Sequence, residues 1–227
     1  GALFTIDSAG VLSFATAPDF EAPTDAGGNN VYDVVVNATN NGLTYSQAVA
    51  VTVTNTNDSP VIIQPGTGAT AAVSFAENAT AAVAIVQAAD QDAGQTVAYS
   101  IAGGADASRF AINAATGALT FVSAPNFEVP TDTGTDNIYD VIVRASDNAT
   151  PVAGFADQAI SVTVTNVNEA PTDVTLSHAS VGENQPSGSI VGAFSSLDPD
   201  AGDTLTYTLA SGAGDADNGQ FTIEIGR

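Results

Sequence analysis

Short apolar runs recur along the whole chain, among them AVAIV, TVAYSI, RFAI, ALTF, IYDVIVRA and AISVTVT, and clusters of Gly, Pro, Asn and Asp separate them. Runs of this length, rich in β-branched residues and bounded by turn formers, predict strands, and no stripe at helical spacing competes with them. In the last run Ile160, Val162 and Val164 fall on one side while Ser161, Thr163 and Thr165 fall on the other, the period-2 pattern of a half-buried sheet. Tyr139, Val141 and Val143 repeat it one strand earlier. The segments DSAGVL and NAATGAL put Gly between strands where a tight turn needs positive φ, so each predicts a hairpin.

The pattern is periodic on a longer scale. FTIDSAGVLSF from Phe4 matches FAINAATGALTF from Phe110, and VTVTNTNDSP from Val51 matches VTVTNVNEAP from Val162. FAEN at Phe75 matches VGEN at Val181, and DQDAGQTVAYS at Asp90 matches DPDAGDTLTYT at Asp198. The second copy carries extra residues around Thr150 to Gly154, which implies a loop there. Each unit offers about seven short strands, as a β-sandwich requires. The predicted organisation is 1–59 as the second half of a unit, 60–170 as a complete unit and 171–227 as the first half of another. Each half-unit is expected to expose an apolar face and unpaired edges. Either the chain is a window on a longer tandem array, as its start at Gly1 without Met suggests, or the halves pair head to tail between molecules. On the window reading any secretion signal or anchor lies outside it.

Charge narrows the function classes. The chain has 227 residues, 25 of them acidic and 3 basic, for a formal net charge of −22. Only Arg109, Arg144 and Arg227 could replace counterions around phosphates, which argues against nucleic-acid partners and anionic membrane surfaces. No apolar run is long enough to span a bilayer. Zero cysteines removes disulfide stapling, thiol catalysis and Cys-based zinc sites together.

The acids recur at fixed places in the unit. These are Glu-Asn near the first strand (Glu77, Glu183), an Asp-x-Asp-x-Gly turn (Asp90 and Asp92; Asp198 and Asp200) and Phe-Glu at mid-unit (Glu21, Glu128). The connectors read Asn55-Thr56-Asn57-Asp58 and Asn166-Val167-Asn168-Glu169. All are hard oxygen donors. Two carboxylates about 4 Å apart repel by roughly 4 kcal/mol at an effective dielectric near 20, so several converging on one connector need an offsetting positive charge. Three Arg and no Lys cannot serve two connectors. Ca²⁺, which takes oxygens from carboxylates, amides and carbonyls, fits the donor set. Mg²⁺ prefers water and strict octahedral geometry, and the single His and absent Cys disfavour zinc and copper.

With these residues in place the chain resembles tandem cadherin repeats, of the kind found in large bacterial surface and secreted proteins. Glu77-Asn78 and Glu183-Asn184 resemble that family's Pro-Glu-Asn start, DFE at Asp19 and NFE at Asn126 its Asp-Arg-Glu, Ala145-Ser146-Asp147 its Ala-x-Asp, and the connectors its Asp-x-Asn-Asp-Asn-x-Pro linker. The resemblance implies an all-β fold of tandem seven-stranded Greek-key β-sandwiches, cadherin- or immunoglobulin-like, joined end to end, with Ca²⁺ at the junctions. It implies a first junction built from Asp19, Glu21, Asn55, Asn57, Asp58, Asp90, Asp92 and Asp147. The second would use Glu77, Asn126, Glu128, Asn166, Asn168, Glu169, Asp198 and Asp200. Asn57 and Asn168 would offer backbone oxygen. Asn55 and Asn166 stand where the family has Asp, Asn126 replaces another Asp and Glu169 lengthens a third, which implies fewer than three ions per junction. Asn40, where an Ala-x-Asp acid is expected, weakens the junction upstream in the same way.

Other features have plainer readings. His178 is expected on the surface, the Asn37 and Asn78 sequons match by chance, and Asp106, Asp215 and Asp217 are expected to be turn residues without a role. There is no Gly-x-Ser-x-Gly and no His-Glu-x-x-His, and the acids gather at junctions rather than around an aromatic cleft, so an enzyme is not expected. The reading is a calcium-rigidified structural segment of an extracellular or cell-surface (secreted) adhesin or surface filament, mediating cell adhesion or aggregation. Its partners would be neighbouring repeats of the same or identical chains. The alternative is a carbohydrate- or protein-binding module recognising a polysaccharide or protein through one sandwich face, although absent Trp weakens ring stacking on sugars.

Overall fold

The computed structural model describes residues 3–224. The complete unit holds β5 (Val61–Gln64), β6 (Thr70–Ala76), β7 (Ala84–Ile85), β8 (Gln87–Ala89), β9 (Ala98–Gly103), β10 (Phe110–Ile112), β11 (Ala118–Phe121), β12 (Ile138–Ser146) and β13 (Phe155–Thr165). One sheet has the order β6-β13-β12-β9, in which β13 runs parallel to β6 and the other pairs are antiparallel. The opposing layer is β10-β11-β7, with β5 paired to β8. Nine elements reduce to the expected seven strands for two reasons. The first strand crosses between layers, as β5 and then β6, and the second is interrupted at Val86, whose N–H still donates to the Gly117 carbonyl at 2.8 Å. The result is a closed sandwich in which the first and last strands share an edge.

Alternation places the core. Tyr139, Val141, Val143 and Ala145 of β12 and Ile160, Val162 and Val164 of β13 are all buried, and they meet Val86, Phe110 and Leu119 from the opposing layer. Tyr139 stands edge-on to Phe110 and Phe121, with ring centroids 6.4 and 5.1 Å away. Gly117 turns the β10–β11 hairpin at φ +68°, and a Cβ there would lie 2.0 Å from the Val86 carbonyl oxygen, so the turn admits no side chain.

The half-units keep this plan. β1 (Phe4–Ile6), β2 (Leu12–Phe14), β3 (Val31–Asn40) and β4 (Leu43–Thr52) repeat β10 to β13, and Phe4, Phe14 and Tyr32 rebuild the aromatic trio at 6.3 and 5.2 Å. β14 (Thr175–Leu176) pairs with β15 (Phe194–Ser195) as β5 pairs with β8. The expected exposure is present: Leu43 is 81% and Tyr45 72% accessible on β4. Among the described residues no helix is long and apolar enough to cross a membrane.

One loop fixes the mid-unit acid. In PTDTGTDN, Asp132 is buried and accepts the N–H groups of Asp136 and Asn137 at 3.0 and 3.1 Å, the Tyr139 hydroxyl accepts Thr131 N–H at 3.0 Å, and Asn137 Nδ2 donates to the Phe127 carbonyl at 2.9 Å. Asp25, Tyr32 and Asn30 repeat the arrangement around Phe20. The core tyrosine therefore anchors the loop that carries Glu128 or Glu21. Asp106 differs from the expectation of an ordinary turn residue. It is buried and accepts Thr133 N–H at 2.7 Å, Thr133 Oγ1 at 2.8 Å and Asp140 N–H at 2.9 Å, latching the two halves of the unit together.

Candidate metal centres at the junctions

At the second junction a carboxylate at the end of β6 organises its neighbours. Glu77 is 2% exposed; its Oε2 accepts Phe127 N–H and its Oε1 accepts Val167 N–H, both at 2.8 Å, so one side chain ties the mid-unit loop to the connector. Glu77, Glu128 and Glu169 then each present a carboxylate oxygen within 4.8 Å of the others. Asn166 Nδ2 donates to Glu128 Oε1 at 3.3 Å and Asn78 Nδ2 to Glu169 Oε1 at 2.8 Å. The following half-unit joins through Asp200, buried, whose Oδ2 accepts Glu169 N–H at 2.6 Å, and within that half-unit Asp198 Oδ1 accepts Asp200 N–H at 3.0 Å. The remaining oxygens, Oε2 of Glu128 and Oε2 of Glu169, are enclosed and have no hydrogen-bond partner. Burial first, and then the facing carboxylates of Glu77, Asp200 and Glu169, push the Glu128 carboxyl above its ordinary value.

Two predicted ligands make further local contacts here. Asn126 Oδ1 accepts Val129 N–H at 2.6 Å and so caps the mid-unit turn, while Asn168 is exposed and its Nδ2 reaches the Glu169 carbonyl at 3.1 Å. The structure adds Asp203, which groups with Asp198 and Asp200. The repeat comparison missed it because the complete unit has Gln95 at that place.

The first junction is more heavily hydrogen-bonded. Asp92 is buried and accepts Asn55 Nδ2 at 2.7 Å and Asp58 N–H at 2.8 Å. Asp147 is buried and accepts Asn57 Nδ2 at 3.0 Å, along with the N–H groups of Ala149 and Gly154. Gly154 sits in the inserted loop, and a Cβ on it would lie 2.6 Å from Asp147 Oδ2, which explains the residue type. Asn57 also enters by its side chain, with its Oδ1 accepting Gln95 Nε2 at 2.6 Å. The amides of Asn55 and Asn57 hold Asp92 and Asp147 below the ordinary aspartate value. Asp90 Oδ1 accepts Asp92 N–H at 2.9 Å while its Oδ2 is enclosed without a partner. Asp19 accepts Glu21 and Ala22 N–H groups at 2.9 and 3.0 Å, forming a local turn. Burial first, and then the charges of Asp92, Asp58 and Asp19, raise the Glu21 carboxyl above its ordinary value.

Residues 71–165 match the Cadherin domain family. That span is cadherin-like, and the half-units on either side repeat parts of its plan. Protocadherin Fat 2 of Mus musculus is 32% identical over 223 residues, 92% of this chain and 5% of that protein. Cadherin EGF LAG seven-pass G-type receptor 2 of Homo sapiens is 37% identical over 147 residues, 62% of this chain and again 5% of that protein. The chain thus spans about one-twentieth of the length of these curated relatives. Among solved structures, human CDH23 EC21-23 superposes with a TM-score of 0.53 at 20% identity, covering 93% of this chain and 71% of that one. Extracellular cadherin domains 3–6 of protocadherin gamma B2 give 0.53 at 21%, covering 89% and 51%. The shared fold is the Greek-key β-sandwich.

The cadherin-like junctions fit a divalent cation on their own chemistry. Enclosed, unpartnered carboxylate oxygens converge at the second junction, and among the described residues the one ion pair lies elsewhere, Arg144 with Asp157 at 2.7 Å. A raised pKa means the folded state favours the proton. Stability contributed by protonated Glu128 is complete below 4.5, the ordinary glutamate value, and is lost as pH rises through the raised value. In chelator, melting temperature is therefore expected to rise as pH falls from 7 into the window just above 4.5, and saturating calcium should flatten that rise. Below 3.8 the trend reverses as Asp92 and Asp147 take up protons through their depressed values. Calorimetry across pH with and without calcium reads both limbs; a chelated protein with no upper limb would contradict the carboxylate crowding.

Proposed function

We propose that this chain is a calcium-stiffened structural segment of an extracellular, cell-surface or secreted adhesin or surface filament, serving cell adhesion or aggregation mechanically rather than catalytically. The observation that carries this reading is the convergence of Glu77 and Glu128 from one repeat with Glu169 from the connector, beside Asp200 of the next. A cation held by all four would fix the connector to both neighbours at once, and without it their mutual repulsion favours a splayed joint. The adhesion setting is supported by the match to a cadherin domain. The bacterial surface setting rests on the sequence resemblance, while the curated relatives named above are animal proteins. Extracellular calcium modules bind at about 10⁻⁴ to 10⁻³ M, so the junctions would fill outside a cell and empty within one. Small-angle scattering of the chain in millimolar calcium should give a longer, stiffer particle than in chelator. The same maximum dimension and the same flexibility in both would overturn the proposal.

A further inference from the structure

We propose that Asn137 is the positioning residue for Glu128, and Asn30 for Glu21, each through a grip on the peptide that leads into the glutamate. The grip itself is independent of metal, while the ligand role it serves rests on the calcium reading of the junctions. Asn137 Nδ2 donates to the Phe127 carbonyl at 2.9 Å. That carbonyl and the Glu128 N–H belong to one planar peptide unit, so holding the oxygen sets the plane from which the Glu128 Cα departs. Glu128 brings a carboxylate oxygen within 4.8 Å of those of Glu77 and Glu169, and a swing of that plane would carry it away.

Both sides of Phe127 are held from one strand end. Its N–H goes to Glu77 Oε2 at 2.8 Å, and the Glu77 N–H donates to the Thr165 carbonyl at 3.0 Å. Its carbonyl goes to Asn137, whose own carbonyl accepts Val164 N–H at 2.8 Å and whose N–H donates to Asp132 Oδ1 at 3.1 Å. The two arms therefore start from adjacent residues at the end of β13, the strand that runs into the connector bearing Glu169. Phe127 adds a third support by packing against the core.

Backbone conformation alone does not account for the asparagine. Asn137 stands at φ +63° and Asn30 at +64°, a region that Gly enters freely and Asn tolerates. Glycine would meet that need without enclosing an amide oxygen, yet Oδ1 of Asn137 and Oδ1 of Asn30 are both enclosed with no hydrogen-bond partner. What asparagine adds at each place is the Nδ2 donor. Between the loops DTGTDN and DAGGNN, Asp, Gly and Asn recur at matched places while the other three residues change. The bonds recur with them: Asn30 Nδ2 donates to the Phe20 carbonyl at 2.8 Å, Asn30 N–H to Asp25 Oδ1 at 3.0 Å, and Val53 N–H to the Asn30 carbonyl at 2.9 Å.

Asn137→Gly in the full chain keeps the positive φ and removes the grip. In chelator, exchange of the Phe127 amide hydrogen should speed about three- to tenfold, the worth of one hydrogen bond, while the Val164 amide keeps its rate because its acceptor is backbone. In a calcium titration followed by amide resonances, the Glu169 midpoint should rise by a similar factor and the Asp58 midpoint should stay. Asn30→Gly should move Asp58 and leave Glu169. Asn137→Asp, which keeps the size and the tolerance of positive φ but offers no donor, should match the glycine variant. An unshifted Glu169 midpoint in both Asn137 variants of a chain that responds to calcium would overturn the proposal, as would equal shifts at the two junctions. Faster Phe127 exchange in a chain whose Glu169 amide never responds to calcium would overturn the calcium reading, and the ligand role with it, while the grip on Glu128 stood.

Discussion

Replacing Tyr139 with alanine is expected to destabilise the complete repeat by about 3–5 kcal/mol, the range for removing a large buried aromatic. Tyr139 is 1% exposed, holds Phe110 and Phe121 edge to face, and supplies the hydroxyl that accepts Thr131 N–H. Tyr139→Phe keeps the ring and strands that N–H, which should cost about 1–3 kcal/mol. Because the same hydroxyl anchors the loop bearing Glu128, the phenylalanine variant should also bind calcium more weakly at the second junction, although Tyr139 lies in the core. Urea unfolding checks the first effect and a calcium titration the second. A loss below about 1 kcal/mol for the alanine variant would mean that the aromatic trio does not hold this sandwich together.

Calcium itself is expected to have the other large effect. For a dissociation constant of about 10⁻⁴ to 10⁻³ M, raising calcium to about 10 mM adds roughly 1.4–2.7 kcal/mol per bound ion, a melting shift on the order of 10 °C for a domain of this size. Glu128→Gln makes the cause legible through opposite signs. In chelator it relieves the crowding of Glu128 against Glu77, Asp200 and Glu169, so the variant should melt above the parent. In saturating calcium it removes a ligand, so the variant should melt below it. Melting curves of both proteins in both conditions should therefore cross. If the variant shifts in the same direction in both conditions, Glu128 acts as a packing residue and not as a metal ligand.

The sandwich was readable from residues because a sheet buried on one face prints its geometry as alternation. Ile160, Val162 and Val164 are buried where the period-2 pattern put them, and the two glycine hairpins pair as expected. The crossing of the first strand between β5 and β6 left no comparable mark, since both pieces remain strand-like in composition. Of the site, the acids contributed by repeated motifs were visible: Glu77, Glu128 and Glu169 come together, and Asp200 accepts the Glu169 N–H. What escaped depended on partners remote in sequence or on a departure from the repeat. Asp106 finds its donors at Thr133 and Asp140, Asn57 reaches Asp147 across 90 residues, and Asp203 has an amide in the other copy. Asn126 Oδ1 accepts Val129 N–H, a turn contact that the motif did not announce.

The most direct test is a crystal structure of the chain grown in about 5 mM calcium, collected at a wavelength where calcium scatters anomalously. The account predicts a peak among Glu77, Glu128, Glu169 and Asp200, with carboxylate oxygens at about 2.3–2.6 Å and Oε2 of Glu128 and Glu169 among them. Water alone at that position, with the Glu169 carboxylate turned to solvent, would contradict it.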